Sequence, residues 1–297
     1  MPAYNNSAES RKEKKSGNLR TLYLHVGIYK TGTTSLQGLL TGCADDLQRL
    51  DVLYPLSGRN SDHTDLACCR FAHHNLAWQI GGDPRFAARR GTTEDLRTEI
   101  ATHPGNVVVS SEDFIAAALK PERFSNFLAG LQQVGFAVII VIAVREQADF
   151  LFSLYSELVC RHQFSIDFSH YLSEAINSQE VTYRHWRFPL DYGGLLEHLK
   201  AYGVEVRTLA YNQEARAGGW AASWLTCLDL DSSQLPPPPQ LNPSIIESML
   251  TAAEQIKPRL PRYRTDEMEA LQRAFKPWSA ALQRWSPTWV NGQLQLF

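Results

Sequence analysis

The sequence has no C-x-x-C pair, no apolar run long enough to cross a bilayer, no internal repeat and no excess of basic charge. Each absence closes off a class of function. Its five cysteines (Cys43, Cys68, Cys69, Cys160 and Cys227) are odd in number and lack metal-ligand spacing, so neither a disulfide framework nor a zinc site is expected. A formal charge of −2 argues against bulk nucleic-acid binding, which needs a strong basic surplus. A membrane span requires about 20 consecutive apolar residues, and no membrane partner is expected. The opening stretch MPAYNNSAESRKEKKSGNLR has no apolar core of a secretory signal. Residues 1–19 therefore read as a solvated, disordered tail, and reduced thiols point to a cytoplasmic setting.

What is there suits a folded enzyme. The 297 residues are 44% hydrophobic and 20% charged, enough to bury a sizeable core. RTLYLHVGI (20–28), NVVVSSEDF (106–114) and FAVIIVIAVRE (136–146) are β-branched and apolar without alternation. Such runs indicate strands covered on both faces, as in a parallel sheet. VEVRTLAY (204–211) reads as a further strand. Helical patterns cover Thr33–Thr41, Arg123–Val134, Asp149–Val159 and YGGLLEHLKAYG. In DLACCRFAHHNLAWQI, the residues Leu66, Cys69, His73, Leu76 and Ile80 share one helical face. Alternating strands and helices predict a three-layer α/β/α fold with a central parallel sheet and right-handed crossovers. One domain is expected over 20–297, with a stiff Pro-rich linker at 235–243. A helical C-terminal segment carrying Trp278, Trp285 and Trp289 is expected to pack back over it.

The stretch HVGIYKTGTTSLQGLL (25–40) follows the first strand and turns into a helix. Backbone N–H groups of a glycine-bearing turn at a helix N-terminus form an anion cradle. Gly27 and Gly32 allow the tight turn. Thr31, Thr33, Thr34 and Ser35 add hydroxyls, and Lys30 adds a cation. In the nucleoside-triphosphate pattern G-x-x-x-x-G-K-[ST] the lysine follows the second glycine. Here Thr33 stands in that place and Lys30 lies inside the loop.

This loop resembles the 5′-phosphosulfate-binding loop of the PAPS-dependent sulfotransferases (PAPS being 3′-phosphoadenosine 5′-phosphosulfate), and most of all their bacterial carbohydrate-type branch, whose loop reads much like G-x-x-K-T-G-T-T-S-L-Q. The resemblance implies a P-loop nucleotide-binding fold. It places Lys30 on the bridging oxygen of the phosphosulfate, with Thr31, Gly32, Thr33, Thr34 and Ser35 around it. A second match lies downstream. The family binds the 3′-phosphate through an arginine ending a buried strand and a serine eight positions later. Arg145 and Ser153 stand at that spacing, and Tyr155 completes an S-x-Y. The carboxyl end of a parallel strand is where open α/β sheets bind ligands, and the planar guanidinium suits a phosphate. Gln147 departs from the family, which often has proline there.

The resemblance further implies transfer of SO3 from PAPS to a hydroxyl or amine of a saccharide or small-metabolite acceptor, leaving adenosine 3′,5′-bisphosphate (PAP), with no metal. Glu112, just past a buried strand, is the first candidate for the base that takes the acceptor's proton; the acidic turn SSED also reads as a helix cap. His73 and His74 are its rivals, against the alternative that an inward histidine is a packed core residue. His25 reads as packing. Two other functions compete: a P-loop kinase using ATP and magnesium, with Glu112 or Asp113 on the metal, and a non-catalytic PAP-binding module.

Overall fold

The structure is a computed structural model that describes residues 20–59, 71–162, 164–184, 186–211 and 219–235, with short stretches of 265–275 and 288–295. Five strands form one parallel sheet: β1 (Arg20–Val26), β2 (Val52–Leu53), β3 (Asn106–Ser111), β4 (Phe136–Arg145) and, after the hairpin below, β7 (Glu205–Tyr211). Their order across the sheet is β2-β3-β1-β4-β7. The chain leaves β1 toward β2 on one side and leaves β4 toward β7 on the other. The gap between the carboxyl ends of β1 and β4 is thus a point where connections diverge, the usual ligand crevice of open α/β sheets.

Pleating sorts the strand residues between two helical layers. Tyr23, Val108, Val141 and Leu209 face a layer of α1 (Thr33–Gly42), α2 (Ala44–Arg49) and α10 (Trp220–Cys227). Leu22, Leu24, Val107, Val109, Ile140 and Ile142 face the other side. That layer holds α3 (His74–Gly81), α4 (Thr93–Ala101), α5 (Phe114–Ala118), α6 (Pro121–Gln133), α7 (Gln147–His162), α8 (Phe168–Ser178) and α9 (Tyr192–Lys200). Continuous apolar strands are required because both faces are covered. The expected three-layer α/β/α fold with a central parallel sheet is present.

Several elements depart from the sequence-based expectation. The helix containing His73 begins at His74, with His73 at its cap, and residues 60–70 of that stretch lie outside the described residues. A hairpin, β5 (Glu180–Tyr183) with β6 (Trp186–Pro189), follows α8. Trp289 lies in a strand pair, β8 (Thr288–Val290) with β9 (Gln293–Gln295), rather than in a helix. The sequence between those strands is Asn291–Gly292, the dipeptide that favours two-residue hairpin turns. The Pro-rich linker, Trp278 and Trp285 lie outside the described residues. Positions within 265–275 are helical, and Leu271 and Phe275 join the larger core cluster.

Ile140 on the central β4 is fully buried, whereas Leu56 is 72% exposed. Ile140→Ala should lower the unfolding free energy by about 2–5 kcal/mol. Leu56→Ala should stay within about 0.5 kcal/mol of wild type. Urea unfolding of both variants checks the contrast.

Candidate active site

The β1–α1 loop is built on two left-handed residues, Lys30 (φ 65°) and Gly32 (φ 73°). Gly32 is required for a second reason: a Cβ there would lie 2.6 Å from Nε1 of Trp220 and 3.1 Å from the Tyr211 ring. Trp220 donates from that nitrogen to the Gly32 carbonyl at 3.3 Å, so α10 packs against the loop. Helix α1 then starts with no side-chain cap and no acidic residue in its first turn. A carboxylate reaches that end from outside the helix, since Glu112 accepts from the Thr33 hydroxyl in the first turn.

The hydroxyls divide by direction. Thr31 is buried and donates to the Ile28 carbonyl at 2.7 Å, which tightens the turn. Thr33 is buried and donates to Glu112. Thr34 and Ser35 are exposed. The Lys30 ammonium pairs with Glu157 on α7.

From the neighbouring strand, Arg145 ends β4 and donates through Nη1 to the Lys30 carbonyl at 2.9 Å. Its guanidinium lies 5.5 Å from the Tyr211 ring centre and 3.8 Å from Asp149. Ser153 sits half-buried on α7, one helical turn before Glu157. Tyr155, by contrast, is a core residue whose hydroxyl donates to the Ile166 carbonyl at 2.9 Å. Gln147 is fully buried, with Nε2 3.4 Å from the Leu190 carbonyl.

The tetrapeptide Ser110–Asp113 divides between the two layers, Ser110 and Ser111 by the alternation at the end of β3 and Glu112 and Asp113 by the turn that follows it. Ser110 and Glu112 turn to the α1 side. His25 Nδ1 lies 2.8 Å from Ser110 Oγ. Gln37 Nε2 reaches Ser110 Oγ at 3.3 Å and donates to Glu112 Oε2 at 3.1 Å. Ser111 and Asp113 turn to the α3 side. There His74 Nδ1 lies 2.8 Å from Ser111 Oγ and 3.3 Å from Asp113 Oδ2. Asp113 also accepts from Tyr29 of the loop and from Trp78 Nε1 at 2.5 Å, and Arg85 stands 3.8 Å away. His74 joins the two halves, its Nε2 being 3.9 Å from Glu112 Oε2. Glu112 does not cap α5: Asp113 occupies the cap position, without a side-chain bond to the helix.

Electrostatics follow from these neighbours. Burial disfavours charge on His74, but Asp113 and Glu112 outweigh it and raise the ring above its ordinary value. Burial acts against the Asp113 carboxylate as well, yet His74, Arg85 and Tyr29 hold it well below the usual carboxylate range. The site therefore keeps a desolvated, paired ion network beside Glu112.

The structure thus brings together Lys30, the Thr31–Ser35 turn, Arg145, Glu112 and His74 at one end of the sheet. His73 stands apart. Its Nδ1 accepts from the Ser110 amide at 3.1 Å, and its Nε2 lies 3.0 Å from the Pro55 carbonyl. Both nitrogens serve backbone groups, and the ring has no exposure. His25 is likewise enclosed, 4.5 Å edge-on from the Trp224 ring. Sequence reasoning missed Gln37, Tyr29, Trp78, Arg85 and Glu157. Two of these carried a signal: Gln37 is four residues after Thr33 on α1, and Glu157 four after Ser153 on α7. That spacing puts each on the same helical face as an expected site residue.

No family model and no curated protein matches the chain. Among solved structures, the crystal structure of a sulfotransferase from Alicyclobacillus acidocaldarius is similar. Its TM-score is 0.52 at 17% identity, over 89% of this chain and 94% of that one. At that identity the likeness is one of fold. Among the described residues, no helix is long and apolar enough to cross a membrane.

Burial drives the His25 ring down to about 4 and the His73 ring down to about 3. In the unfolded chain both titrate near 6.5. Each neutral ring thus contributes stability that is fully present above about pH 6.5 and is lost as pH falls toward its folded value. The unfolding free energy should decline between pH 6.5 and about 4. His25→Gln and His73→Gln should each remove about one proton from the slope. Urea titrations across that range measure it.

Proposed function

We propose that the chain is a PAPS-dependent sulfotransferase acting on a hydroxyl or amine of a saccharide or small metabolite in the cytoplasm of a bacterium. The observation that carries this reading is the convergence of the lysine-bearing loop after β1 with the arginine ending β4. Arg145 holds the Lys30 carbonyl where the loop enters α1, a helix that starts without a side-chain cap. The fold shared with a sulfotransferase supports it.

In this reading the backbone of residues 30–35 and the hydroxyls of Thr34 and Ser35 receive the 5′-phosphosulfate, while Arg145 and Ser153 receive the 3′-phosphate. The acceptor oxygen attacks sulfur in line. A new S–O bond forms as the bond from sulfur to the 5′-phosphate oxygen breaks, and that electron pair leaves on adenosine 3′,5′-bisphosphate. Lys30 stabilises the charge growing on the departing oxygen. Positioning by the loop supplies much of the remaining acceleration.

Glu112 takes the acceptor proton. Thr33 and Gln37 orient its carboxylate from the α1 side. The His74–Asp113 pair supports it from the other, because a histidine whose charged form is favoured by Asp113 and Glu112, with Nε2 3.9 Å from Glu112 Oε2, is placed to steady that carboxylate. His73, fixed to backbone groups, takes no part.

The test is transfer of labelled sulfate from PAPS to a panel of saccharides, alcohols and amines. Lys30→Met should lower turnover by about 10²–10³-fold. Glu112→Gln should lower it by about 10²–10⁴-fold while leaving bisphosphate affinity within about threefold. No transfer to any acceptor, with intact bisphosphate binding, would make the chain a non-catalytic binding module.

A further inference from the structure

The loop lysine is held by the protein itself. Its backbone cannot yield easily: it sits in the left-handed region, and Arg145 fixes its carbonyl at 2.9 Å. Only its side chain has freedom, and that side chain reaches across to α7 to pair with Glu157. The two side chains are 30% and 28% exposed. At that exposure an ion pair is weak enough to be exchanged.

Glu157 lies one turn beyond Ser153, so one face of α7 presents both a hydroxyl and a carboxylate to the crevice. At this partly exposed mouth solvent screens the carboxylate's own repulsion of an anion, and its effect on binding runs through the cation it holds. Here that cation is the residue the ligand must recruit.

On the reading of a phosphosulfate site, the geometry points to Glu157 as a positioning residue for Lys30. It holds the ammonium on α7 in the resting enzyme and gives it up when the ligand's 5′ anion arrives. The exchange lowers the net affinity for every anion that recruits Lys30, the product bisphosphate included. Glu157 touches no reacting atom and acts only through Lys30.

The experiment uses the full chain and three variants: Glu157→Gln, Lys30→Ala and the double. Two quantities are read: the rate at which an amine-acylating reagent labels Lys30, followed by mass spectrometry without ligand, and the calorimetric affinity for adenosine 3′,5′-bisphosphate. Glu157→Gln should speed labelling of Lys30 while other lysines keep their rates. It should also tighten the bisphosphate by about two- to fivefold. In the Lys30→Ala background the same substitution should give no tightening, because nothing is left to release. Glu157→Asp, which retains charge but retracts it by one methylene, should fall between wild type and Glu157→Gln.

Unchanged labelling overturns the proposal, and so does weaker binding in a variant that melts at the wild-type temperature. Equal tightening with and without Lys30 also overturns it, since the effect would then be long-range charge. If wild type binds no bisphosphate, the phosphosulfate reading falls, and the labelling rates still decide whether Glu157 holds Lys30.

Discussion

The hydrogen bond from Arg145 to the Lys30 carbonyl is the constraint on which the site depends. It joins the end of β4 to the loop after β1 across the divergence point of the sheet. Lys30 is a non-glycine residue in the left-handed region, a conformation that persists only when its surroundings over-determine it. Arg145 from one side and Trp220 from the other, at Gly32, supply that determination. The same arginine is the group expected to meet a 3′-phosphate. On the proposed function, shaping the loop and binding the nucleotide would both fall to this side chain, so losing it should disturb both ends of the ligand.

A second constraint is the alternation of Ser110, Ser111, Glu112 and Asp113 between the two faces of the sheet. The turn after β3 sends one carboxylate to α1, the helix that follows the glycine-bearing loop, and the other to a histidine on α3. Two acids adjacent in sequence thereby acquire different partners. Asp113 is committed to an ion network with His74 and Arg85. Glu112 is held by a hydroxyl and an amide, which orient a carboxylate without neutralising it. The proposed sulfuryl transfer would rest mostly on positioning and charge placement, and this division would serve both.

The architecture was legible because its signals were local and strong. Unbroken β-branched runs at 106–111 and 136–145 announced strands buried on both faces, and the glycine-bearing stretch after β1 announced a turn into a helix. The short β2, of two residues, left no pattern to read. The pair β8–β9 was hidden behind a tryptophan-rich composition that reads equally as helix. At the site, the sequence placed Lys30, Glu112 and Arg145 at one sheet end through their position at or just past strand ends, and offered His74 only as a rival base on a helical stretch. It did not separate His73 from His74, because neighbours on a helix differ only by rotation, and the helix starts where its cap decides. Glu157 escaped notice since its significance lies in the residue it reaches, more than a hundred positions away.

The most direct test of the central claim is calorimetric titration with adenosine 3′,5′-bisphosphate, set beside ATP with magnesium, on wild type and Arg145→Ala. The account predicts bisphosphate binding to wild type, weakened by about 10- to 100-fold in the variant, and no comparable binding of ATP with magnesium. Preference for ATP with magnesium, or bisphosphate binding indifferent to Arg145→Ala, would contradict it and return the loop to the kinase interpretation.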